Sequence, residues 1–72
     1  MRDVEVRPGG IALGQLLKFA GLVDTGGEAK ALLAAGAVSV NGEPEGRRGR
    51  TLADGDVIGV AGHEPVRVAI GA

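Results

Sequence analysis

Seventy-two residues with no cysteine, one aromatic side chain and a formal net charge of −1 describe a single small domain spanning residues 1–72. A chain near this size buries only ~60% of its unfolded surface, and no disulfide or thiolate zinc site is available to reinforce it. With Phe19 as the one aromatic, the core has to be aliphatic, and there is no platform of rings on which splayed-out bases could stack.

The first residues, "MRDVEVRPGG", alternate in charge where a secretion signal carries an apolar stretch. No apolar run approaches the roughly 20 residues of a membrane span. With no cysteine to oxidise, the expected location is the reducing cytoplasm, with no membrane partner. "VEV" at Val4–Val6 predicts a short strand, ended by Pro8-Gly9-Gly10. From Ile11 the period changes: Leu13, Leu16, Leu17 and Ala20 form one helical stripe, with Gln15 and Lys18 on the outer face. Gly21 is placed as a left-handed stop, followed by Leu22 as its hydrophobic contact. Thr25 and Glu28 have the spacing of a reciprocal capping box and open a second helix. Its inner stripe is Ala29, Leu32 and Leu33, and Gly36 stops it.

Strands follow. "AVSV" alternates, and Asn41-Gly42 is the strongest two-residue signal for a tight hairpin. Pro44 cannot donate to a ladder, so the returning segment is irregular or at an edge. "RTL" is expected to rejoin the sheet, "ADGD" to turn, and "VIGV" and "VRVAI" to complete it, with Arg67 facing outward. The fold class is α+β: a two-helix motif packed on a small, mostly antiparallel sheet.

Charge is segregated along the chain. Residues 1–46 carry four bases against six acids, residues 47–50 three bases and no acid, and residues 51–72 one base against three acids. Distribution outranks the sum here, because a polyanion reads a local patch. Two readings fit Arg47, Arg48 and Arg50. They form a solvated loop neutralised by Glu43, Glu45, Asp54 and Asp56, or they offer planar guanidinium forks to phosphate oxygens, with Gly49 letting the backbone approach.

The stretch from Leu13 to Ile58, read as two short helices, then Gly36-x-Val38-x-Val40-Asn41-Gly42, a basic run, and Gly55-Asp56-x-Ile58, resembles the S-four (αL) RNA-binding domain family. The "GGEAK" entry and the "RRGR" run are similar to its small stand-alone bacterial YbcJ-like members. The resemblance covers residues 11–60. It implies a ribosome-associated module that binds structured RNA, ribosomal RNA or tRNA, through the helix pair and the adjoining loop, and a monomer is the expected state. Carried over, Lys18, Lys30, Arg47, Arg48 and Arg50 would meet phosphates, with Thr25, Gly26 and Gly27 at the entrance of the second helix; Asn41, read from its turn alone, is a further candidate RNA contact. Many members carry arginines at the starts of both helices. Here those places hold "ALG" and "GGE", which implies weaker or narrower binding.

The bland readings stand beside these. "TGGEAK" either exposes amides to an anion or is simply a capped helix. A lone lysine such as Lys18 ordinarily solubilises, and Asn41-Gly42 is turn chemistry first. Neither His63 nor the Asp54/Asp56 pair makes a metal site, and no nucleophile, base and orienter present themselves. The expectation is no enzyme activity, metal or cofactor. The alternatives are a protein-interaction adaptor without RNA binding and a ubiquitin-like sulfur carrier. The latter needs a terminal Gly-Gly where this sequence has Gly71-Ala72.

Overall fold

Alternation puts one face of every long strand in the core. In the computed structural model, which describes residues 1–71, the strands are β1 (Arg2–Val6), β2 (Ile11–Ala12), β3 (Val38–Val40), β4 (Glu43–Pro44), β5 (Thr51–Leu52), β6 (Val57–Val60) and β7 (Val66–Ile70). Val4, Val6, Val38, Val40, Ile58, Val60, Val66 and Val68 are all buried, while Asp3, Glu5 and Arg67 face solvent. A two-residue period with one solvated face is the pattern of a sheet covered on one side only.

The main sheet has the order β1-β7-β6-β3-β4. Only β1 with β7 is parallel, with Val4 opposite Val68; the other pairs are antiparallel. Asp3 lies opposite Arg67, and the two form a bidentate ion pair at 2.8 and 3.0 Å. The Arg67 guanidinium holds the Asp3 carboxyl below the usual range. Asn41 and Gly42, at φ 53° and 85°, make the expected two-residue turn, with Val40 opposite Glu43. Pro44 duly sits on an edge strand, where its missing N–H breaks no inner ladder.

The helices α1 (Leu13–Phe19) and α2 (Gly26–Ala34) cover the apolar face. Both end on a left-handed glycine, Gly21 at φ 74° and Gly36 at φ 72°. Gly21 N–H donates to the Lys18 carbonyl at 3.0 Å and Leu22 N–H to Leu17 at 2.9 Å. Gly36 and Ala37 repeat the pair on Leu33 and Leu32 at 3.2 and 3.1 Å. These bonds satisfy carbonyls that a helix end otherwise orphans. Arg2 reaches across from β1 to the Ala20 carbonyl at 2.6 Å. Leu13, Leu16 and Leu17 are fully buried with Ala29 and Leu33, and the core is aliphatic throughout.

Two expectations change. The helical pattern does not begin at Ile11, because Ile11 and Ala12 are extended and pair with β5. For the same reason "RTL" does not rejoin the main sheet: β5 forms a separate two-stranded ladder with β2, and Leu52 drops into the core. That ladder anchors the basic loop beside α1. Ala72 lies outside the described residues, and with it the expected Gly71-Ala72 comparison with sulfur carriers.

Candidate nucleic-acid interface

The first turn of α1 needs acceptors, and the arginine loop provides them. Ala12 has no side-chain oxygen with which to cap the helix. Only Gln15 reaches back, its Oε1 accepting from the Ala12 N–H at 3.0 Å. The Leu13 N–H donates instead to the Arg50 carbonyl at 2.8 Å, and the Gly14 N–H to the Arg48 carbonyl at 2.9 Å. A buried amide left without a partner costs about 1–3 kcal/mol, so residues 48–50 are clamped onto the helix start. Gly14 permits the approach. A Cβ there would collide with Arg48 Cγ and stand 3.4 Å from the Arg48 carbonyl oxygen. The loop thus lays the Arg48 side chain against the start of α1.

Glu45 then divides the three arginines. Its side chain is 10% exposed. Its Oε1 accepts from the Arg47 backbone N–H and from Arg47 Nε, both at 3.0 Å, and its Oε2 accepts from Arg50 Nη1 at 2.9 Å. The Arg47 guanidinium, the Arg47 amide and then Arg50 bring the Glu45 carboxyl down to about 2. Arg47 is held above its ordinary value by the same contact. Mutual repulsion is therefore relieved inside the loop for Arg47 and Arg50, and Arg48 keeps its charge unpaired.

Of the four acids expected to neutralise the loop, only Glu45 forms salt bridges to its arginines among the described residues. Asp54 accepts from the Ile70 N–H at 2.8 Å. Asp56 accepts from the Ala53 N–H at 2.8 Å and from Asn41 Nδ2 at 3.0 Å. Burial pushes the Asp56 carboxyl up, but those bonds and the Arg50 charge outweigh it and leave it below the usual range. Asn41 Oδ1 accepts from the Val57 N–H at 2.9 Å. Both ends of the Asn41 amide are occupied in holding the β3–β4 turn to β6.

Between the helices and the loop lies an open groove of about 310 Å³. Gln15 and Lys18 of α1, Gly26 and Ala29 of α2, and Arg48 and Gly49 of the loop line it. Three predicted site residues, Lys18, Gly26 and Arg48, thereby share one concavity although 30 positions separate Lys18 from Arg48. Thr25, Gly27 and Lys30 lie on or next to α2 without lining the groove, and Arg47 and Arg50 flank it in the loop. Asn41 sits apart on its turn. Lys18, Lys30 and Arg48 make no salt bridge among the described residues. Gln15, Gly14 and Glu45 were not among the predicted site residues. Only the glycine in a helix's first turn hinted that something presses against it.

Thr25 caps α2, its Oγ1 accepting from the Glu28 N–H at 3.1 Å. The return bond of a capping box, from the Thr25 N–H to the Glu28 carboxylate, is absent among the described residues. Glu28 is exposed, and water competes well for a carboxylate there. The Gly26 and Gly27 amides also have no acceptor among the described residues, and the positive end of α2 stays open beside the groove. Thr25→Ala should cost about 1 kcal/mol of stability, read as a shift in thermal or urea midpoint.

The sequence has counterparts among known proteins. The S4 domain family matches residues 4–69, so the match includes the two parallel terminal strands as well as the motif core. A relative in Bacillus subtilis (strain 168), named "Probable ribosome maturation protein RlbA", is 50% identical over 52 residues, which are 72% of this chain and 73% of that protein. With the family matching nearly the whole sequence and half the aligned residues shared with that relative, the chain belongs to the S4 domain family.

Proposed function

We propose that this protein is a non-catalytic RNA-binding module that docks on structured RNA, ribosomal RNA in the first instance. The observation that carries the reading is the groove. Two bases with no acidic partner among the described residues, Lys18 and Arg48, line it together with Gly26 at the start of α2, and Lys30, also without an acidic partner among them, follows one turn along that helix. A helix N-terminus with cations around it suits phosphate oxygens. Membership of the S4 domain family and the name carried by the B. subtilis relative support a ribosomal setting. Binding rests on phosphate contacts and shape, with the protein acting as a monomer in the cytoplasm. No helix of the described residues is long and apolar enough to cross a membrane, and no metal-binding cluster of three or more ligands occurs among them.

The test is the salt dependence of affinity for ribosomal RNA stem-loops. Lys18 and Lys30 each contribute one charge, and the loop contributes three arginines less Glu45, a net of two. About four phosphates neutralised give a slope of log affinity on log salt near −3 to −4. A Gly27→Glu variant should weaken binding with little effect on folding, because a Cβ at Gly27 meets nothing nearer than Thr25 Oγ1 at 3.8 Å. A slope near zero on every structured RNA would reject the reading and leave the protein-interaction adaptor.

A further inference from the structure

We propose that Phe19 stacks on an unpaired nucleobase of the bound RNA, so that the module distinguishes RNA with unpaired nucleotides from fully paired helix; this rests on the RNA reading above. Phe19 is the chain's one aromatic residue, and it is 63% exposed while Leu16, Leu17 and Ala20 beside it are buried. A single exposed apolar side chain is ordinary by itself. Its position is the second observation. As the last residue of α1, Phe19 follows Lys18 directly and stands four residues, one helical turn, beyond Gln15, and both of those line the groove. The ring is outside the groove's lining but exposed on α1 directly after Lys18.

Charge complementarity selects the occupant. Lys18, next to Phe19 in the chain, has no acidic partner among the described residues, and Arg48, also unpaired among them, lines the same groove as Lys18. A nucleotide offers both an anion for Lys18 and a flat π-face for the next residue, Phe19. A single ring is no platform for a run of bases, but one base suffices to prefer a bulge or loop over continuous duplex. In a paired helix the base faces are already stacked and out of reach, so the ring gains nothing there. Stacking carries no charge, and its signature is a loss of affinity without a change in salt slope.

The experiment uses the full chain and two RNAs, a perfect stem and the same stem carrying a three-nucleotide bulge, with Phe19→Ala, Phe19→Leu and Phe19→Trp. Phe19→Ala should weaken binding to the bulged stem roughly tenfold. Binding to the perfect stem, the salt slope and the melting temperature should not move. Phe19→Trp should keep affinity, and because the chain has no other tryptophan, its fluorescence should be quenched by the bulged stem more than by the perfect one. Full affinity of Phe19→Ala for the bulged stem would overturn the proposal and leave RNA binding intact. So would full affinity of Phe19→Leu, which would make the contact merely apolar, or a large drop in melting temperature for Phe19→Ala, which would make it packing. If the wild-type chain binds neither RNA at any salt, the RNA reading itself fails.

Discussion

Replacing Arg47, Arg48 and Arg50 together with alanine is expected to lower affinity for structured RNA by between tenfold and a few hundredfold near 0.1 M salt. The upper figure follows from counterion release, since each phosphate contact with a slope of 0.7–0.9 is worth roughly five- to eightfold at that concentration. Three independent contacts would approach the upper figure, but the arginines are not independent. Arg47 and Arg50 share Glu45, so the loop presents a net charge of two; the triple variant combined with Glu45→Gln should make the salt slope shallower by about two units, and the triple variant alone, which leaves the Glu45 carboxylate unpaired, by up to three. Arg48→Ala alone should account for about one of those units. Arg47→Ala or Arg50→Ala should each cost a similar unit, because Glu45 then neutralises the arginine left to it. Removing all three side chains also strips a nearly buried carboxylate of both guanidinium partners. The triple variant is therefore best compared with a version that also carries Glu45→Gln. The carbonyls of residues 48 and 50 that cap α1 survive in every case, so the fold should persist. Titrations of a fluorescent stem-loop at several salt concentrations, beside thermal melts, measure all of these. Equal slopes for wild type and the triple variant would show that the loop does not meet phosphates.

Local chemistry was the legible part of this protein. Gly21 and Gly36 stop their helices because the left-handed region costs glycine little, and nothing distant is needed to see it. The same holds for Asn41-Gly42, Pro44 and the alternating valines of the sheet. What could not be read were contacts between remote segments. The ends of α1 illustrate the division. Its C-terminus closes on residues three to six positions apart, whereas its N-terminus is closed by carbonyls from Arg48 and Arg50, more than 30 positions away. That distant closure is also why Ile11 and Ala12 are strand rather than helix and why Thr51 and Leu52 leave the main sheet. For the candidate site, residue types were visible but not their pairing. Four acids near three arginines gave no hint that Glu45 alone would take two of them while Asp54 and Asp56 served backbone amides. Thr25 and Glu28 showed the spacing of a reciprocal box, and only the threonine half forms, because an exposed carboxylate loses little by staying in water.

Glu45→Gln yields a prediction whose sign runs against intuition for an RNA-binding loop: removing this acid should tighten binding. The net charge of the loop rises by one, so affinity near 0.1 M salt should increase by up to roughly fivefold and the salt slope should steepen by up to one unit. Glutamine keeps an oxygen that accepts from the Arg47 amide, so the loop keeps its shape while the ionic hold on Arg47 and Arg50 weakens. Stability should respond to acid in the opposite sense. The Glu45 carboxyl lies at about 2 in the folded protein against an ordinary 4.5. A carboxylate with a depressed value stabilises the fold fully above its unfolded value, and that contribution is lost as the pH falls through the folded one. Wild type should therefore lose stability between about pH 4.5 and pH 2 more steeply than Glu45→Gln, with the two melting curves converging at the acid end. Above pH 5 Glu45 stays ionised, so its share of RNA affinity should be flat from pH 5 to pH 8. Melts across the acid range and binding at pH 5 and pH 8 measure both halves. Weaker RNA binding by Glu45→Gln would mean that Glu45 orients the arginines toward phosphate instead of competing with it. Acid melts identical to wild type would mean that the Glu45 pairs do not hold the loop in solution.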